Sequence, residues 1–343
     1  LSTLFVKGQV IIHDSVKSPR SQYAVFRLQS VIKKYKLDKE KYSVFLLKQV
    51  PPSLVKSAVP YDTTKEGFTI DCRYQTAHIT GNDENGILYG ALELAAKIEK
   101  EKRFPVSWLI KDAPEMVLRG QCIGLQKPYY LPGRNVYEYP YTPETFPWFY
   151  DKKLWIQVLD SMVDNRMNSL YLWNGHPFAS LVRLKDYPYA VEVDDSTFKK
   201  NEEIYRFLTT EADKRGIWVI QMFYNIILSK PFADHYGLKT QDRHRPITPL
   251  ISDYTRKSIA AFIEKYPNVG LLVCLGEAMD TYDDDVEWMT KTIIPGVKDG
   301  LKALGRNDEP PVLLRAHDTD CKAVMEASLP LYNNCPQRLY TLN

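Results

Sequence analysis

The sequence predicts an α/β protein in which a small α/β sandwich domain is followed by a (β/α)8 barrel of the TIM type. Three observations carry this reading. Up to residue 112, strand-like and helix-like stretches alternate irregularly, and two of the strands lie close enough for a hairpin. From 113 to 343 the alternation is regular, and its strand candidates are near-continuous apolar runs, as in a parallel sheet covered by helices. Polar residues gather directly after those strands, where a barrel forms its site, and no Gly-rich phosphate turn of a doubly wound sheet follows an early strand.

In the first domain, residues 4–12 read as a strand, and Ser18 with Pro19 opens an amphipathic helix to about residue 35. Residues 42–50 form a second strand, and 67–72 with 77–80 a hairpin. Asn82 or Asp83 caps a helix over 86–99, where Ile87, Leu88, Ala91, Leu92, Ala95 and Ile98 recur at helical spacing, and 104–110 closes the sheet. In the second domain the strands are 117–125, 169–173, 218–224, 269–275, 312–316 and 338–342. Helices fall between them at 153–166, 202–215, 255–266, 286–304 and 321–328. A closed barrel needs eight strands, so the expectation is a barrel truncated after about six, completed beyond Asn343 or by another chain.

Composition narrows the function. A net charge of +3, with Lys33, Lys34, Lys36 and Lys39 spread along a helix, describes a solvated face and no nucleic-acid footprint. No apolar run approaches the roughly 20 residues that span a membrane. The 5 cysteines are scattered and odd in number, without a C-x-x-C, so buried free thiols such as Cys122 and Cys274 are expected rather than a disulfide framework or zinc site. The 23 Tyr and 6 Trp are concentrated in loop-like segments, notably 129–150, with Tyr130, Tyr137, Tyr139, Tyr141, Phe146, Trp148 and Phe149. Aromatic faces with polar edges suit sugars; such a loop can equally be packed by its own rings.

Chemistry is expected after the strands. Glu277 follows the apolar run 271–275 through Gly276, and a carboxyl at an apolar rim has its pKa raised toward general-acid use. Its alternative is a helix cap. Trp173, Asn174 and His176 follow the second barrel strand, and Tyr224 and Asn225 the third; each group either holds a sugar ring or fixes its own turn. Arg315, His317 and Asp318 follow the fifth strand, where alternation puts Arg315 and His317 on one side. Asp318 is either a second carboxylate, an orienting partner for His317, or half of a structural pair with Arg315. Asp280, Asp283, Asp284 and Asp285 lack the spaced ligands and glycine of a calcium loop and read as an acidic helix start, so no metal and no cofactor is expected. His13 and His78 read as incidental, and His235 and His244 lie in a polar loop without ligand spacing.

Several short motifs resemble a known group. Glu66-Gly67-Phe68-Thr69-Ile70, Ile79-Thr80-Gly81 and Gly86-Ile87-Leu88-Tyr89-Gly90-Ala91-Leu92 resemble the small α/β domain ahead of certain glycosidase barrels: α-glucuronidases, β-hexosaminidases, O-GlcNAcases and α-N-acetylglucosaminidases. Asp112-Ala113-Pro114 with Arg119-Gly120, and Glu211-Ala212 with Lys214-Arg215-Gly216-Ile217, resemble the approaches to their first and third barrel strands. The resemblance implies a general acid after the fourth strand, at Glu277, and a secreted or periplasmic location. β-Hexosaminidases carry an Asp-Glu pair there, whereas Gly276 precedes Glu277 here, which favours the inverting, α-glucuronidase-like pattern although that family's Ser-Glu-Gly-Gln is not matched.

The expected function is therefore hydrolysis of a glycosidic bond in an oligosaccharide or polysaccharide, with Glu277 as acid and Asp318 as the one base candidate late in the chain, the usual base being expected just past Asn343 or after the seventh strand. Trp173, Asn174, His176, Tyr224, Asn225, Arg315 and His317 would line the sugar, Arg315 meeting a carboxylate. A non-catalytic carbohydrate-binding barrel is the alternative. Oligomeric state is not legible.

Overall fold

A computed structural model describes residues 9–49, 64–132, 134, 139–224, 227–276 and 279–334. Glu277, Asn225, Tyr137, the strand expected at 338–342 and the first residues of the strand expected at 4–12 lie outside the described residues. The chain divides into two compact units: Leu1–Arg119 with Asp160–Asn168 and Asp213–Ile217, and Gly120–Leu159 with Ser169–Ala212 and Trp218–Asn343.

The first unit is a two-layer sandwich. Its elements are β1 (Val10–Asp14), α1 (Pro19–Lys34), β2 (Tyr42–Lys48), β3 (Phe68–Arg73), β4 (Thr76–Gly81), α2 (Glu84–Glu101) and β5 (Ser107–Asp112). The sheet order is β1-β2-β4-β3-β5. β1, β2 and β4 run parallel, and β3 pairs antiparallel with β4 and β5. Alternation along the strands sends Val44, Leu46, Ile70, Cys72, Ala77 and Ile79 inward, against Leu28, Ile87, Leu88, Ala91 and Ile98 of the helices. Ser18 caps α1 in a reciprocal capping box with Ser21, and Asp83 caps α2 by accepting from the Gly86 amide. Gly86 is required there by close approach, because a β-carbon would overlap the Gly67 carbonyl. Lys33, Lys34, Lys36 and Lys39 are exposed.

The same unit contains a buried polar network. Glu66, 8% exposed, accepts from Arg119 Nη2 at 2.6 Å, Asn85 Nδ2 at 2.7 Å and Asn168 Nδ2 at 3.0 Å. Asn85 Oδ1 accepts in turn from Arg20 Nη1 at 2.8 Å, and Arg20 pairs with Asp213 at 2.9 Å. Several residues that carry the family resemblance belong to this network.

The second unit alternates strand and helix throughout. β6 (Gly120–Gly124), α3 (Lys152–Asp164), β7 (Ser169–Trp173), α4 (Phe178–Leu181), α5 (Asp195–Lys214) and β8 (Trp218–Tyr224) come first. Then follow α6 (Lys230–Tyr236), α7 (Pro249–Lys265), β9 (Val269–Cys274), α8 (Tyr282–Trp288), α9 (Ile294–Ala303), β10 (Val312–Leu314) and α10 (Cys321–Ser328). The five strands are all parallel, in the order β10-β9-β8-β7-β6, the sequential succession of a TIM-like barrel. Leu170, Leu172, Val219, Ile220, Met222, Leu271, Val273, Val312 and Leu314 are buried, as the apolar runs require.

Details depart from the expected boundaries for local reasons. The helix expected at 286–304 is broken by a π-helical turn at Met289–Ile293, just before Pro295, which has no amide to donate into the ladder. α5 begins earlier than expected because Asp194 caps it by accepting from the Thr197 amide at 2.7 Å. Cys122, expected buried, is exposed, since β6 is the last strand of the described sheet and its side chains lie largely open.

Candidate active site

The C-terminal ends of the parallel strands bring three of the expected residues together. Trp173 ends β7, Tyr224 ends β8, and Arg315 directly follows β10. The Arg315 guanidinium carbon lies 5.5 Å from the Trp173 ring centre and 5.9 Å from that of Tyr224. Its Nη1 also donates to the Tyr224 hydroxyl at 3.4 Å, and the two rings are 6.3 Å apart at 50°. The cation is thus held against two aromatic rings, one of which it also bonds. The Trp173 indole N–H is buried and has no hydrogen-bond partner among the described residues.

Gly276 and Met279, the described residues on either side of 277–278, are each held by neighbours. A β-carbon on Gly276 would overlap the carbonyl oxygens of Asp318 and His317, so the backbones after β9 and β10 pass in direct contact. On the other side, Met279 and Tyr224 pack against Ile227. One residue further, Asp280 accepts from or bonds His244 Nδ1 at 2.6 Å, tying the loop after β8 to the loop after β9. Arg315 and His317 do not continue the strand alternation expected of 312–316, because β10 ends at Leu314. Asp318 is exposed, with a left-handed φ of 52° that turns the chain toward α10.

Asn174 and His176 occupy the interior. Asn174, fully buried, donates to the Tyr139 carbonyl at 2.9 Å and accepts from the His176 amide at 3.0 Å. His176 Nε2 is 2.9 Å from the Tyr254 hydroxyl, and burial, with Arg134 and Arg245 nearby, lowers its pKa to about 3. Both side chains are committed to holding the loop after β7, the turn-fixing one of their two expected roles. The aromatic segment behaves alike: Tyr139, Tyr141, Phe146 and Phe149 are at most 1% exposed and touch one another edge-on or tilted, while Tyr129 and Tyr130 remain open.

Sequence reasoning gave Asp285 no separate role from its acidic neighbours. It is 1% exposed, in the first turn of α8, and one carboxylate oxygen lacks a partner. Burial, then the nearby Asp284 and Asp318, push its pKa up to about 7. Thr281 caps α8, and Asp283 and Asp284 favour its N-terminus. Among the described residues no group of three or more His, Cys, Asp or Glu side chains is arranged to hold a metal. Asp285 carries a pH-dependent cost. An unfolded Asp ionises near pH 3.8, whereas the folded one keeps its proton to about pH 7, so stability falls as pH rises between those values. Asp285→Asn is expected to raise stability by roughly 1–3 kcal/mol at pH 8, the gain vanishing below the unfolded pKa; urea melts at both pH values check it.

Parallel strands in sequential order, with aromatic and charged residues at their C-terminal ends, are the arrangement of a TIM-like barrel, and solved structures similar to the chain share that fold. Over 95% of its length the chain matches a solved GH138 enzyme targeting pectin rhamnogalacturonan II, at 62% identity and a TM-score of 0.84. It spans 37% of that protein's length. A Streptomyces plicatus N-acetyl-β-hexosaminidase shares the fold at 15% identity and a TM-score of 0.55, over 94% of this chain and 68% of its own. So does a GH84 protein, at 12% identity and a TM-score of 0.55, over 90% of this chain and 46% of its own. No family model and no curated protein matches the chain. No helix among the described residues is long and apolar enough to cross a membrane.

Proposed function

We propose that this chain belongs to a glycoside hydrolase that cleaves a bond in a complex, acidic plant glycan of the rhamnogalacturonan kind, with inversion at the anomeric carbon. The observation that carries the proposal is Arg315 held against Trp173 and Tyr224 at the C-terminal ends of the parallel strands. A fixed guanidinium beside a ring face suits a sugar carboxylate. Glu277, between Gly276 and Met279 in sequence, is assigned as the acid that protonates the leaving oxygen.

Position 276 supports the inverting, α-glucuronidase-like reading. No side chain fits there, so no carboxylate can directly precede Glu277 to orient an acetamido group. The base is then a separate carboxylate across the sugar, roughly 6.5–9.5 Å from the acid, with Asp318 the candidate within this chain. Asn174 and His176 position the loop that presents Trp173. Secretion or export to the periplasm fits a polymeric substrate.

The test is incubation of the full-length protein with rhamnogalacturonan II fragments, following the first-formed anomer by NMR. Release of the retained anomer would sink the inverting assignment, and no release would sink the hydrolase. Trp173→Ala should weaken glycan binding by about 1–3 kcal/mol by calorimetry. Arg315→Lys should lose affinity for acidic sugars more than for neutral ones, since an ammonium reproduces neither the fork nor the stacking.

A further inference from the structure

We propose that Tyr189, His235 and Tyr236 form a second glycan-binding surface, a shelf for a neutral sugar residue of an extended chain. The inference rests on reading the strand C-terminal face as glycan-binding. Tyr189 lies in a 3-10 turn, Pro188–Ala190, between β7 and α5, and His235 and Tyr236 end α6 between β8 and α7. All three therefore stand on loops that follow neighbouring parallel strands, on the same face as Trp173 and Tyr224.

The rings form a continuous surface. Tyr189 stacks on His235 at 4.0 Å and 21°, His235 meets Tyr236 at 4.8 Å, and the Tyr189 hydroxyl bonds that of Tyr236 at 2.8 Å. Tyr236 is 38% exposed and His235 is open to solvent. Beneath them is a buried aromatic tier. Phe232 stacks on Tyr254 at 4.0 Å and touches Tyr236 at 4.9 Å, while Tyr187 contacts Phe232 at 5.5 Å and Tyr189 at 6.5 Å. The exposed rings are thus held in place before a ligand arrives, which removes most of the ordering cost of binding.

The chemistry selects the ligand class. Rings with hydroxyl edges match the C–H faces and hydroxyl rim of a sugar. The charges nearby are matched internally: Lys230 with Asp234 at 2.6 Å, and Lys257 with Asp186 at 2.6 Å and Asp253 at 2.8 Å. With both cations of that group paired to carboxylates, the shelf suits a neutral sugar unit.

The experiment is calorimetric binding of a ladder of rhamnogalacturonan II fragments, from monosaccharide to long oligosaccharide, to the full-length protein, with cleavage followed in parallel. In the wild type, affinity should climb with fragment length. Tyr236→Ala and His235→Ala should each remove about tenfold of that gain, while Tyr236→Phe, which keeps the ring, retains most of it. Folded Tyr236→Ala and His235→Ala proteins that bind the longest fragment as tightly as the wild type would overturn the shelf. Should Tyr236→Ala fail to fold, His235→Ala decides alone. A wild type that binds through these rings yet cleaves nothing rejects the hydrolase and keeps the shelf. Cleavage with no dependence on the rings does the reverse.

Discussion

Glu277→Gln should lower turnover of the natural glycan by at least about 100-fold, the usual scale of general acid catalysis, with the fold intact. Just before Glu277 in sequence, Leu275 is fully buried and Gly276 is pressed against the backbone of residues 317 and 318. A glutamine keeps the size and polarity of the side chain but holds no transferable proton. The defect should therefore shrink on aryl glycosides with very good leaving groups, which need little protonation. Steady-state kinetics on both substrate types read the difference. Near-wild-type turnover on the glycan would remove Glu277 from the mechanism.

Glu66→Ala should destabilise the protein by about 3–5 kcal/mol in urea melts at neutral pH, the scale of breaking a buried ion pair from one side. The substitution leaves Arg119 and the side-chain amides of Asn85 and Asn168 without their shared acceptor. Arg119 remains bonded to the Arg166 carbonyl at 2.8 Å and lies over the Tyr89 ring at 5.9 Å, so it cannot leave freely. Because the partners are in direct contact, Glu66→Ala and Arg119→Ala should be non-additive, the double variant losing about 1–3 kcal/mol less than the sum. A loss under about 1 kcal/mol for Glu66→Ala would mean that water replaces the carboxylate at no cost.

Glu66, Gly67, Gly86, Arg119 and Gly216 explain why the resemblance was legible in short motifs. Asn85 donates to the Gly216 carbonyl at 3.3 Å and bonds Glu66, and Gly86 admits the Gly67 carbonyl. These positions answer to architecture: each fills a close approach or a buried bond that few other residues satisfy. They therefore identify a fold more directly than a substrate.

What the sequence determined by itself is the local order of the protein. Period-two and helical spacing marked the strands and long helices, and Ser18 and Asp83 announced their helices because a cap acts within three residues of itself. Position after a strand also singled out Trp173, Tyr224 and Arg315, since parallel strands in one sheet end on one face. Tertiary structure decided the rest, where the outcome depended on partners far along the chain. Asn174 follows Trp173 directly, yet it is buried by the Tyr139 carbonyl, 35 residues away in sequence. Tyr139, Tyr141, Phe146 and Phe149 became core rather than ligand surface in the same way, because composition does not say what a ring packs against. Asp285 looks like any acid in a first helical turn; only packing around α8 takes its carboxyl out of water, and that burial, with Asp284 and then Asp318 nearby, raises its pKa. Local chemistry acts over a few residues, but burial is a property of the assembled neighbourhood, and it is burial that separates a ligand contact from a core contact.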